Sequence, residues 1–235
     1  MQPPGELTPL GTEGLAYLDV LPGTPPDALS HLCDIHLLHF SDSYAEATRD
    51  FERAWRGGPP PLGIIEHQWL LFLDGVPCGE LVFAINLNRR AVCRHFTSVR
   101  KEFRSRMPYD WIPTATRAVV QRCLSEASSL DVDLLGMMSE ILTKHVAGWR
   151  RLGLFQPDIG YQEPVHGNYW REFGPLEFTP MVANILPFPA GREAGLGAIA
   201  DAGVRAFLLD YYGVPESDPT FQGIIQRCAD IPPAW

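Results

Sequence analysis

Between residues 68 and 99 the chain reverses twice within a short span, and these reversals restrict its fold more than any other feature. Gln68–Leu73 and Pro77–Leu87 are apolar-rich runs separated by Asp74-Gly75. Asp-Gly accepts the positive φ angles of a type I′ turn, so the pair reads as a β-hairpin. Asn88-Arg89-Arg90 then turns the chain into Ala91–Val99, where Ala91, Cys93, His95, Thr97 and Val99 alternate with Val92, Arg94, Phe96 and Ser98. A period of two is that of an extended strand. Three consecutive antiparallel strands follow, and a domain built on them needs helices to cover the sheet.

The flanking segments supply those helices. Leu15–Val20 reads as a strand, and Thr24-Pro25-Pro26 opens a helix to about His39. A second helix starts near Ser41 or Ser43, with Tyr44, Ala47, Phe51 and Trp55 three and four apart, and stops at Gly57-Gly58. Thr114–Ser129 carries Ala115, Val119, Cys123 and Ala127 on one helical face. Val132–Met138 is an apolar run of the kind buried on both faces of a sheet, and Leu142–Leu152 reads as a short helix ending at Gly153. Strands near Gly160–Gln162 and Leu176–Leu186 complete the sheet, followed by helices Ala198–Tyr212 and Thr220–Cys228. The expected fold is α/β of the α+β kind: a mixed, mostly antiparallel sheet flanked by helices, with further helices at the C-terminus. The domain reading is a main domain over residues 1–188 and a helical extension over 189–235 packed upon it. Phe221, Ile224, Ile225 and Cys228 form one stripe on the last helix. That stripe fits packing on the main domain, or a homodimer face.

With 19 basic against 28 acidic residues the net charge is −9, which opposes binding to nucleic acid or a membrane surface. A local exception holds Arg89, Arg90, Arg94, Arg100, Lys101, Arg104 and Arg106 against the single acid Glu102. It reads as a grip for a small anion or as a solvated face. The five cysteines, 33, 78, 93, 123 and 228, show no close pairing and no secretory leader precedes them, which fits a reducing cytoplasm. No apolar run approaches the roughly twenty residues that span a bilayer. His31, His36 and His39 lack the ligand spacing of a metal site and read as a partly exposed helical face, so no metal is expected. There is no Gly-x-Ser-x-Gly elbow and no Walker loop.

Phe96–Ile112 leads from a strand through Arg104 and Arg106 toward a helix, a junction whose unpaired N–H groups suit phosphate, although the loop has no glycine. The order of elements from Leu15 to Leu186 resembles the GCN5-related N-acetyltransferase (GNAT) superfamily. Trp69-Leu-Leu-Phe-Leu-Asp-Gly-Val-Pro-Cys-Gly-Glu80 is similar to that family's second and third strands, and His145-Val-Ala-Gly-Trp-Arg-Arg-Leu-Gly-Leu154 to its late helix. Tyr161-Gln-Glu-Pro164 and a tail ending in Leu208-Leu-Asp-Tyr-Tyr212 are similar to a divergent branch of it. The resemblance implies transfer of an acyl group from acetyl-coenzyme A or another acyl-coenzyme A to a small-molecule acceptor, an amine or amino acid.

It also implies roles for particular residues. Backbone groups of Thr97, Ser98 and Val99 would pair with the pantetheine arm, and Arg104, Ser105 and Arg106 would meet the pyrophosphate. The family's glycine-rich phosphate loop is missing: Met107 stands where its first glycine is expected and Pro108 removes a donor, which shifts the grip to guanidinium groups. Glu140 is the candidate base for the acceptor amine, or alternatively a carboxylate at the start of the following helix. Trp149 occupies the place of the family's proton-donating tyrosine, and indole cannot serve as that acid. Tyr161 is the nearest replacement along the chain, or else an aromatic packed against the sheet. His166 reads as a loop histidine. The competing function is a module that kept the scaffold, lost catalysis, and senses a ligand or binds a protein partner.

Overall fold

The structure, a computed structural model, describes residues 5–41 and 44–232. Strands β1 (Thr8–Pro9) and β2 (Leu15–Asp19) come first, then helices α1 (Pro26–Phe40) and α2 (Ala47–Trp55). β3 (Ile64–Leu73), β4 (Val76–Asn86) and β5 (Ala91–Val99) follow, and α3 (Trp111–Ser128) leads to β6 (Gly136–Ile141). Next are α4 (Val146–Arg151), β7 (Gln162–Pro164), β8 (Phe178–Pro180) and β9 (Val182–Pro187). The tail holds α5 (Pro189–Ala194), α6 (Leu196–Arg205), a π-helical turn over Ala206–Tyr211, and α7 (Pro219–Ala229).

Seven strands form one sheet in the order β1-β2-β3-β4-β5-β6-β9, while β7 and β8 pair with each other in a separate sheet. β1–β2, β2–β3 and β6–β9 are antiparallel, and β5–β6 is parallel. Asp74 and Gly75 take φ of 52° and 77°, the two positive values that the Asp-Gly dipeptide anticipates. The parallel register runs from Ala91↔Gly136 to Arg94↔Ser139 and stops there, although β5 and β6 both continue.

The chain forms two compact units, Met1–Ala84 with His95–Arg122 and Ile85–Arg94 with Cys123–Trp235. In the first, α1 and α2 bury Leu32, Ile35 and Phe51 against Leu18, Leu70 and Val82. In the second, the tail helices bury Ile199, Phe207, Leu208, Phe221, Ile224 and Cys228 in one cluster with Met138, Ala183 and Ile185 of β6 and β9. Each fully buried Phe or Ile removes apolar surface worth about 1.5–3 kcal/mol, so the tail is bound into this core. The stripe on α7 therefore faces inward: Phe221 and Ile224 are 0 % exposed. A Cβ on Gly191 of α5 would lie 1.8 Å from the Leu135 carbonyl oxygen, so only glycine lets that helix approach. α7 starts at an Asp218 carboxylate that accepts the Thr220 and Phe221 amides at 2.8 and 3.1 Å.

Several expectations need correction. The strand expected over Val132–Met138 runs over Gly136–Ile141, since a continuous apolar run carries no period from which to read its ends. Glu140 therefore lies inside β6, opposite Ala183, and not at a helix start. The helix expected over Leu142–Leu152 is a 3-10 turn, Thr143–His145, followed by α4. The segments near Gly160–Gln162 and Leu176–Leu186 do not both join the main sheet: β7 and β8 pair apart, and β9 alone completes it. α3 begins at Trp111, three residues early, because Pro113 is accommodated in the opening turn. The expected helix start at Ser43 lies outside the described residues, and α2 begins at Ala47.

Candidate active site

Glu140 is the first residue of β6 beyond the parallel ladder to β5. Tyr161 donates its hydroxyl to Oε1 of Glu140, and Tyr212 donates its own to Oε2. Glu163 lies beside them, 4 % exposed. Tyr161 and Glu163 are two apart in an extended segment, so both side chains leave it on one face. Tyr212 arrives from the end of the π-helical turn, where its amide reaches back to the Phe207 carbonyl at 2.8 Å. That turn is fixed by Asp210, which accepts Nε and Nη2 of Arg89 at 2.9 and 3.0 Å and Nδ2 of Asn86 at 2.8 Å.

Residue Glu140 is not wholly covered, yet its carboxylate is enclosed. Burial, and after it the neighbouring Glu163, push its pKa well above the ordinary carboxylate value, against the two phenols that favour the charged form. The Glu163 carboxyl disfavours a second negative charge beside it and so adds to that rise. Burial and the Glu140 charge likewise raise Tyr161, and burial followed by Glu140 raises the Cys93 thiol. The arrangement is a positioned carboxylate with an elevated proton affinity, ringed by hydroxyl donors. Such a group can accept a proton from a bound amine.

Elsewhere in the same unit, Arg94 is 3 % exposed and its guanidinium lies 4.9 Å from the Trp149 ring centroid. Burial brings its pKa down to about 10. Trp149 is thus the platform of a cation–π contact. Asn184 donates to Ser139 Oγ at 3.0 Å and accepts from Gln156 at 2.7 Å. A groove of about 730 Å³, lined by Asn88, Arg89, Asp201, Arg205, Ile225 and Ile231 among others, includes neither Glu140, Tyr161 nor the loop residues Thr97–Val99 and Arg104–Arg106.

The loop after β5 belongs to the first unit. Thr97 and Ser98 are half-buried, Val99 is buried, and Ser98 Oγ donates to Glu80 at 3.1 Å. Beyond them the amides of Phe103, Arg104, Arg106 and Met107 bond to carbonyls of Arg100, Lys101 and Phe103 within the turn, at 2.8–3.3 Å. Phe103 and Met107 are buried and hold the loop down. Asp110 stands ahead of α3, where it accepts from Thr114 and adds negative charge at the helix start. Those four amides are therefore not free to cradle a diphosphate. What the loop does offer is side chains: Ser105 is exposed, and Arg104 gives Nε to the Val99 carbonyl at 3.1 Å while pairing with no acid among the described residues. Arg106 lies 3.4 Å from Asp74, both more than half exposed.

The three histidines of α1 separate. His31 is exposed, whereas His36 is 0 % exposed, bonds to the Tyr44 carbonyl at 2.8 Å and lies 3.4 Å from Glu80. The expectation of a partly exposed histidine face is corrected at His36, which the aromatic rings of Phe40, Phe51 and Phe96 surround. Among the described residues no group of His, Cys, Asp and Glu is placed to hold a metal ion. His166 is a turn residue with φ of 66°, stacked on Phe173. None of the helices among the described residues is long and apolar enough to cross a membrane.

Glu140 and Tyr161 are marked by sequence position, whereas Glu163, Tyr212, Asp210, Arg89 and Asn86 join this cluster only in the fold. The Tyr161-x-Glu163 spacing is a usable signal for Glu163. Nothing local signals Tyr212, which comes from 72 residues further along the chain than Glu140.

No family model matches the chain, and no curated protein matches it. Among solved structures it is similar to a putative acetyltransferase of the GNAT family from Bacteroides thetaiotaomicron, at 14% identity over 80% of this chain and 94% of that one, with a TM-score of 0.52. It is also similar to a probable acetyltransferase, at 18% identity over 77% and 97% of the two chains and a TM-score of 0.48. A ribosomal L7/L12 alpha-N-protein acetyltransferase in complex with coenzyme A matches at 13% identity over 79% and 99%, with a TM-score of 0.48. At such identities the likeness is one of fold: the chain has the GNAT fold, with a seven-stranded, mostly antiparallel sheet.

Proposed function

We propose that the protein is an acyl-coenzyme A-dependent N-acyltransferase acting on a small amine or amino-acid-like acceptor. The observation that carries this reading is the position and state of Glu140, a carboxylate of raised proton affinity where the β5–β6 ladder ends. In this reading an acceptor ammonium gives one proton to Glu140, and the neutral nitrogen attacks the thioester carbonyl. The C–N bond forms as the C–S bond breaks. The nitrogen loses its second proton, the thiolate takes one up, and one proton is released overall. Tyr161, bonded to Glu140, is the hydroxyl through which a proton reaches the leaving sulfur. Thr97, Ser98 and Val99 pair with the pantetheine arm, and Arg104, Ser105 and Arg106 take the diphosphate with side chains in place of backbone amides.

A second reading is favoured by the loop itself, four of whose amides are engaged within the turn. It makes the protein a catalytically degenerate GNAT-like module that senses a ligand or binds a partner. Melting curves of the full chain with coenzyme A, acetyl-coenzyme A and longer acyl thioesters separate the two. A ligand at one hundred times its Kd stabilises by about 2.7 kcal/mol, so the enzyme reading expects a clear rise in Tm. Unchanged melting at millimolar concentrations of all three would leave only the module.

A further inference from the structure

The C-terminal segment delivers a side chain to the candidate catalytic carboxylate through an unusual piece of backbone. A π-helical turn over Ala206–Tyr211 separates α6 from Tyr212. Such turns are uncommon, and those that occur are frequently at functional sites. What fixes this one is visible. Asp210 is bonded twice by Arg89 and once by Asn86, and the Arg89 amide in turn bonds to Asn86 Oδ1 at 2.9 Å. The bidentate guanidinium–carboxylate pair sets both the position and the rotation of the turn. Trp170 Nε1 adds a bond to the Tyr212 carbonyl at 2.9 Å. A turn with ordinary α-helical pitch would rotate residue 212 by about 100° per residue of slip and carry its ring away from Glu140.

We propose that Asn86, Arg89 and Asp210 are positioning residues for the carboxyl cluster, holding the π-turn in the register that brings the Tyr212 hydroxyl onto Glu140. The tail is thereby part of the proton-handling site and not only a cover for the sheet. This inference rests on the acyltransferase reading for its catalytic meaning, but its physical content stands without any substrate. The groups facing Glu140 are Tyr161 and Glu163 from the β7 segment, Tyr212 from the turn, and Cys93 from β5. With Tyr212 in place both carboxylate oxygens accept a hydroxyl, which favours the ionised form and opposes the upward push of burial.

The test is a pH titration followed by carbon NMR in the full chain carrying glutamate labelled at the carboxyl carbon, with the Glu140 signal assigned through Glu140→Gln. Tyr212→Phe should move the Glu140 midpoint to higher pH, because a donor to the charged form is lost. Asp210→Asn and Arg89→Gln should move it in the same direction, although neither residue touches Glu140. Where Asp210→Asn does not fold, Arg89→Gln and the milder Asn86→Ala carry the same comparison. Ile224→Val serves as a control that lowers Tm by repacking α7 without moving the midpoint. A midpoint that stays at the wild-type value in the clamp variants while Tyr212→Phe shifts it would overturn the positioning role; a midpoint unmoved by Tyr212→Phe would remove Tyr212 from the cluster. Failure to bind any acyl-coenzyme A, with these shifts intact, would strike the transferase reading and leave this one standing.

Discussion

The carboxyl–tyrosine cluster and the arginine loop are built on opposite principles. Around Glu140 each carboxylate oxygen has a partner, from segments far apart in sequence, and the group is enclosed. In the loop after β5 four backbone amides bond within the turn itself, and long cationic side chains face water. An enclosed cluster fixes geometry and proton affinity but makes every removal costly. An open cationic loop tolerates substitution, and loses ligand affinity in place of stability. The contrast separates residues expected to govern chemistry from residues expected to govern binding.

The largest expected effect is at the enclosed end. Glu140→Ala leaves two buried phenols and Glu163 facing an empty acceptor site, and should cost about 2–4 kcal/mol in urea unfolding, as for breaking a buried polar network. Glu140→Gln keeps the shape and should cost less. If both behave like surface substitutions, the cluster is not the enclosed network described here. Next comes the loop: Arg104→Ala with Arg106→Ala should weaken acyl-coenzyme A binding by roughly ten- to a hundredfold per guanidinium lost, from about 1.5–3 kcal/mol for each charge-assisted contact. The unliganded melting temperature should barely change. Retained ligand affinity would reject those assignments.

The response to pH sharpens the comparison further. Glu140 is raised above its ordinary value of 4.5, so the folded chain holds a proton that the unfolded chain gives up. That contribution is complete below the unfolded carboxylate range and is lost as pH rises through the folded midpoint, so stability should decline over that interval. Glu163→Gln removes the like-charged neighbour and should flatten the decline, read from melting curves across pH. The smallest effect is expected at Asp74→Asn. Asparagine keeps the positive-φ turn, and the exposed pair with Arg106 contributes about 0–1 kcal/mol, so stability should be near wild type and diphosphate binding equal or tighter.

What the sequence disclosed follows the same division. The Asp74-Gly75 hairpin and the alternation through β5 were legible because turn chemistry and period two are local properties. β6 was displaced by four residues at its start because Val132–Met138 has no period, and its true beginning depends on pairing with β5 and β9. Glu140 stood out as a carboxylate just after the apolar run Val132–Met138, and Tyr161 as the nearest tyrosine along the chain once Trp149 takes the place of the family's tyrosine. Tyr212 and its Arg89–Asp210 clamp did not, because a π-turn has no compositional signature and its partners come from 121 positions away. The arginines of the loop were visible as a charge run, but not that the turn would engage its own amides, since that depends on Phe103 and Met107 turning inward.

The central claim is that this chain binds an acyl-coenzyme A through guanidinium groups after β5. Isothermal titration of acetyl-coenzyme A into the full chain, beside the Arg104→Ala/Arg106→Ala variant, tests it most directly. The account predicts saturable binding at one site per chain that disappears in the variant. Equal heats from both proteins, or none from the wild type at millimolar ligand, would contradict it.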